Sequence, residues 1–104
     1  MLTTWLSSDR QDITLASSLM RVSSMFVEDL AAQQPFTAGG YGSVRRVYVV
    51  CSEDYGIVEG FQRWMVENNP VEEEVREIAA DHLVMLSRPD ELARCLAGIA
   101  DKYA

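Results

Sequence analysis

Basic residues are scarce in this chain: nine Lys and Arg stand against sixteen Asp and Glu, for a formal net charge of −7. A surface of that balance repels polyphosphates and anionic headgroups, so neither nucleic acid nor a membrane surface is an expected partner. Histidine occurs once, at His82, and cysteine twice, at Cys51 and Cys95, without metal-ligand spacing. No metal and no cofactor is therefore expected. The cysteines form no disulfide framework either, and both are expected to be reduced and buried, as in a cytoplasmic protein. No apolar run approaches the roughly 18 residues of a membrane span. The first residues lack the basic start and apolar stretch of a secretory signal. A soluble, cytoplasmic domain with a thin core is the expectation.

What is present falls into two rhythms, divided by Pro35 and the Gly39-Gly40-Tyr41-Gly42 cluster, a loop and the expected boundary between residues 1–40 and 41–104. Before it, Asp12 can cap a helix whose broad apolar face carries Ile13, Leu15, Ala16, Leu19 and Met20. A short helix from Met25 to Ala32 would turn Phe26, Val27 and Leu30 inward. After the loop, Val47-Tyr48-Val49-Val50-Cys51 is a continuous β-prone run, the pattern of a strand buried on both faces in a parallel sheet. Ile57, Phe61, Trp64 and Met65 then share one helical stripe, closed by Pro70. Val75, Ile78 and Ala79 suggest a second strand, weakened by Glu72-Glu73-Glu74 ahead of it. Ser87-x-x-Asp90, with Pro89 in the first turn, opens a last helix with the stripe Leu92, Cys95, Leu96, Ile99 and Tyr103.

The second half thus reads strand, helix, strand, helix, with the two strands parallel across a right-handed crossover. Two strands alone do not make a stable sheet. Further strands outside these residues are therefore expected, and with them an open sheet edge and poor solubility of the isolated chain.

Asp54 follows the first strand by three residues and His82 follows the second by three. Strands lie about 4.8 Å apart, so a carboxylate beyond one can reach an imidazole beyond the other. In a parallel sheet, functional side chains gather at those carboxyl ends. Such a pair is the acid and base of a nucleophilic triad, in which the carboxylate fixes the imidazole and the imidazole deprotonates a serine. Glu53 and Asp81 adjoin the two candidates and compete as partners, and spacing does not choose between them. No serine stands in G-x-S-x-G, so the nucleophile is not among these residues. The glycine cluster precedes a strand and has no following lysine, which makes it a plain loop and not a phosphate cradle. The three glutamates read as a solvated run.

Ser43 to Ile57, Phe61-Gln62-Arg63-Trp64, Ala80-Asp81-His82 and Met85-Leu86 closely resemble the plant methylesterase and hydroxynitrile lyase family of α/β-hydrolases. Leu15-Ala16 and Arg21 to Leu30 match as well. The resemblance implies an α/β fold, with the chain as a C-terminal fragment of an α/β-hydrolase. Residues 1–40 would be the end of the helical cap and the return to the core. Residues 41–104 would be the C-terminal part of the core. It implies Asp54 as triad acid and His82 as triad base, and Met25, Phe26 and Leu83 as substrate-binding residues. The implied activity is hydrolysis of small plant-hormone methyl esters (salicylate, jasmonate, indole-3-acetate), with the full-length form open to homodimer formation. With its serine elsewhere, the isolated chain is expected to be inactive on model esters. A non-catalytic fragment that binds a ligand or partner is the rival reading.

Three departures carry weight. Val58 and Val22 replace usual prolines, the first of which is expected to loosen the turn after Asp54. Leu83 stands where the lyases carry a lysine, and an apolar side chain cannot supply charge for a cyanide leaving group, which disfavours the lyase branch.

Overall fold

Two parallel strands organise the chain: β1 (Arg46–Cys51) and β2 (Glu72–Ile78), paired from Val47↔Glu74 to Cys51↔Ile78 with a register irregularity after Arg46. The protein is described by a computed structural model covering residues 10–22, 25–69 and 72–104. Pro70, expected to close a helix, and Ser23-Ser24 of the resembling segment lie outside the described residues. Among the described residues two helices precede the sheet, α1 (Arg10–Leu19) and α2 (Val27–Ala32), followed by a 3₁₀ turn at Tyr41–Ser43. Helix α3 (Glu59–Glu67) connects the strands, and a short α4 (Val84–Ser87) leads into α5 (Pro89–Tyr103).

Several local expectations are corrected. Asp12 lies within the first turn of α1 and does not cap it. Helix α2 starts at Val27, because Phe26 takes a left-handed backbone with φ 62°. Ser87 ends α4 instead of capping α5, whose flanking residue is Arg88 and has no side-chain cap. Its hydroxyl donates instead to Asp81 Oδ1 at 2.9 Å. The second strand takes in the acidic triplet and ends at Ile78, one residue before the expected Ala79. Glu74 explains why: it accepts from Lys102 Nζ at 2.8 Å and Tyr103 Oη at 2.9 Å and pairs with Arg76 at 3.0 Å, tying β2 to the end of α5. Val58, expected to loosen its turn, holds φ −58°, inside the range to which proline is fixed.

The apolar core is small. Among the described residues only Val50, Ile78 and Ala80 are buried apolar side chains, and the remainder of β1 is half-buried. Cys51 and Cys95 are free and half-buried, not fully buried as expected. Most of the inward faces expected of α1 and α2 is exposed, Leu19 at 67% and Leu30 at 61%, while Ile13 and Ala16 are half-buried. The radius of gyration, 16.1 Å, exceeds the roughly 13 Å of a compact domain of this length. No described helix is long and apolar enough to cross a membrane.

Candidate active site

Three polar or charged side chains are buried among the described residues: Asp54, Gln62 and Asp81. All three belong to segments at the carboxyl ends of β1 and β2 or to the helix that links them. Burying polar groups costs free energy unless each is hydrogen-bonded, so their concentration at one end of the sheet marks a built site.

Strand pairing continues past both strand ends. Ser52 N–H donates to Ile78 O at 3.1 Å and Glu53 N–H donates to Ala80 O at 3.0 Å. The two outgoing loops are thereby zipped side by side, and Asp54 meets His82. The ring's Nδ1 lies 2.9 Å from Asp54 Oδ2. A carboxylate only accepts, so Nδ1 carries the hydrogen and Nε2 is the atom able to take up a proton. Of the three candidate partners Asp54 is the one so paired. Asp81 Oδ1 turns to the Leu83 N–H at 3.0 Å and the Ser87 hydroxyl, and Glu53 is exposed.

Asp54 is held in place by its own loop. Its Oδ1 accepts the Gly56 N–H at 2.8 Å and the Ile57 N–H at 2.9 Å, the local turn that aspartate favours. Burial alone would push this carboxyl up. The Ile57 amide, the His82 hydrogen bond and the Gly56 amide outweigh it and leave the group below the usual carboxylate range. Asp54 is thus an ionised acceptor, 7% exposed, beside an imidazole that is 30% exposed. Such a pair can hold a tautomer, stabilise an imidazolium and shuttle one proton through Nε2.

Cys51 closes β1 beside this pair, and its surroundings oppose a thiolate. Burial raises its thiol, and the charges of Asp54 and Asp81 raise it further, whereas a reactive cysteine needs a lowered one.

The remaining expected site residues lie differently. Leu83 is half-buried next to His82, and its amide is held by Asp81. Met25 and Phe26 are 71% and 65% exposed. Phe26 borders an open hollow with Val27, Glu28 and Asp29, and neither Asp54 nor His82 lines it. Among the described residues no three His, Cys, Asp or Glu side chains gather as metal ligands.

Gln62 escapes sequence reasoning. A polar residue on an amphipathic helix reads as surface, yet it is 3% exposed. Its amide accepts the Cys51 N–H at 2.9 Å and donates to Cys51 O at 2.9 Å and Ile57 O at 2.7 Å.

No family model matches the chain. Methylesterase 9 of Arabidopsis thaliana is 50% identical over 99 residues, which is 95% of this chain and 39% of that protein. Salicylic acid-binding protein 2 of Nicotiana tabacum is 50% identical over 93 residues, 89% of this chain and 36% of that one. The crystal structure of polyneuridine aldehyde esterase superposes with a TM-score of 0.80 at 41% identity, over 88% of this chain and 36% of its own. The chain therefore spans between a third and two fifths of the length of these relatives.

Proposed function

The chain belongs, through a match to their C-terminal part, with the plant methylesterases of the α/β-hydrolase fold, and on that premise we propose that it carries the acid and base of a Ser-His-Asp carboxylic ester hydrolase. The observation that supports this most is the 2.9 Å contact between Asp54 and His82 at the carboxyl ends of two parallel strands. In this reading Asp54 holds the Nδ1–H of His82 and stabilises the imidazolium as it forms. His82 Nε2 accepts the hydroxyl proton of a serine supplied from outside these 104 residues, then returns it to departing methanol. A second cycle, with water in place of the serine hydroxyl, releases the acid.

The substrates are methyl esters of small apolar acids of the salicylate, jasmonate and indole-3-acetate kind. Leu83 presents an apolar side chain beside the base, and Met25 and Phe26, on the cap segment of residues 1–40, contribute apolar wall. The protein works in the cytoplasm. A second reading, a non-catalytic fragment that binds a ligand or a hydrolase partner, is favoured by the exposure of Met25 and Phe26.

An antibody against residues 87–104 separates the two. Antigen purified from source tissue is expected to exceed twice the 11.7 kDa of this chain and to release methanol from methyl salicylate, methyl jasmonate or methyl indole-3-acetate. A species of 11.7 kDa alone, with no methanol released, would overturn the esterase reading in favour of the binding one.

A further inference from the structure

We propose that Gln62 is a positioning residue for the Asp54–His82 pair, its side-chain amide closing the loop that carries Asp54 at both ends. The inference rests on the pairing read above, and it adds a residue outside the acid and base. The loop leaves β1 at Cys51 and enters the turn before α3 at Ile57 and Val58. Gln62 holds both limits at once: N–H and C=O of Cys51 on one side, C=O of Ile57 on the other.

The geometry gives these bonds a specific consequence. Ser52 N–H points to β2, so by the alternation of a strand the N–H and C=O of Cys51 point to the opposite edge. Gln62 occupies that edge with one acceptor and one donor, as a neighbouring strand would. Its second N–H reaches the carbonyl of Ile57, whose own N–H donates to Asp54 Oδ1. The chain of contacts runs from Gln62 through the two peptide units that flank the Ile57 Cα to Asp54 Oδ1, and from Asp54 Oδ2 to His82 Nδ1. Both side-chain polar atoms of Gln62 bond to backbone, and both Nε2 hydrogens are used there. Methionine at this position would keep the shape and lose all three bonds.

His82 is the only histidine, so its carbethoxylation by diethyl pyrocarbonate can be followed by mass on the full 104-residue chain at low micromolar concentration in mildly alkaline buffer. Attack by Nε2 develops positive charge on the ring, which the Asp54 carboxylate stabilises only when it is aligned. Asp54→Asn is expected to slow the reaction about tenfold, since a charged acceptor becomes a neutral one. Gln62→Met is expected to slow it by a similar factor with the helical circular dichroism retained. The double variant should be no slower than Asp54→Asn alone, because both act through one carboxylate. If Asp54→Asn leaves the rate unchanged, the acid–base pairing itself fails. If it slows the rate while Gln62→Met does not, or if the two effects add, the pairing stands and the role of Gln62 is overturned. Should Gln62→Met fail to fold, native-state hydrogen exchange on the unaltered chain decides. The Gly56 and Ile57 amides are expected to open together with those of α3, and opening well ahead of them would overturn the proposal.

Discussion

Replacing Asp81 by alanine should destabilise the fold through two hydrogen bonds that bracket His82. Asp81 is wholly buried, and its Oδ1 accepts the Leu83 N–H at 3.0 Å and the Ser87 hydroxyl at 2.9 Å. Alanine removes the acceptor and leaves both donors in half-buried positions. At about 1 kcal/mol for each lost bond, and more where water cannot replace it, the loss is about 2–3 kcal/mol. Asparagine keeps an oxygen at the same place and should cost under about 1 kcal/mol. With a urea dependence of about 2 kcal/mol per molar, the midpoint should fall by about 1–1.5 M for alanine and by less than half of that for asparagine. Urea titration followed by circular dichroism at low micromolar concentration measures both. The rival physics is explicit: a buried carboxylate whose desolvation exceeded its hydrogen-bond gain would leave Asp81→Ala neutral or stabilised. An alanine midpoint at or above that of the unaltered chain would refute the bracketing argument. So would asparagine falling as far as alanine, since charge and not acceptor geometry would then be at stake.

Two further outcomes follow from the same structure. The folded-state carboxyls of Asp54 and Glu74 both lie below their ordinary 3.8 and 4.5, and hydrogen bonds from Lys102 and Tyr103 pull Glu74 down to about 2. Depressed carboxyls contribute stability that is complete above their unfolded values and is lost as pH falls through the folded ones. The urea midpoint should therefore hold steady at pH 6 and decline as pH drops from 4.5 toward 2, and a midpoint unchanged across that interval would contradict both assignments. Val58→Pro should raise stability by about 0.4–1 kcal/mol, because proline matches the existing φ of −58° and restricts the unfolded chain. A lowered thermal midpoint would show that the turn after Asp54 cannot take the ring.

Where apolar residues set the period, the fold is readable from the chain. The run from Val47 to Cys51 and the stripe of α5 both mark their elements to within three residues. Legibility failed where polar side chains do structural work. Glu72-Glu73-Glu74 reads as a solvated run, but the strand alternation turns Glu74 and Arg76 toward α5 and leaves Glu73 and Glu77 outward. Nothing in sequence spacing announces that Lys102 and Tyr103 wait some 28 residues later to receive that carboxylate. The Ser87-x-x-Asp90 signal has the form of a cap, yet Asp81, six residues upstream, takes the hydroxyl. A tertiary partner displaced a local one.

The site follows the same division. Spacing placed an acid and a histidine beyond adjacent strands but left Asp54, Glu53 and Asp81 as equal claimants. The choice is made by backbone: the amides of Gly56 and Ile57 bind one carboxyl and the amide of Leu83 binds another. A carboxylate that already accepts the amide of its own downstream turn is oriented by that turn, and Asp54 so held by Oδ1 sets its Oδ2 2.9 Å from the ring. Asp81, one peptide from His82, is spent on holding the start of α4. Each member of the pair is thus braced by a different buried polar side chain, Gln62 on the acid's loop and Asp81 on the base's. The three buried apolar side chains among the described residues cannot by themselves fix two loops to hydrogen-bond tolerance. The buried polar groups supply the directionality that packing lacks, which is why this end of the sheet contains them and the rest of the described chain does not.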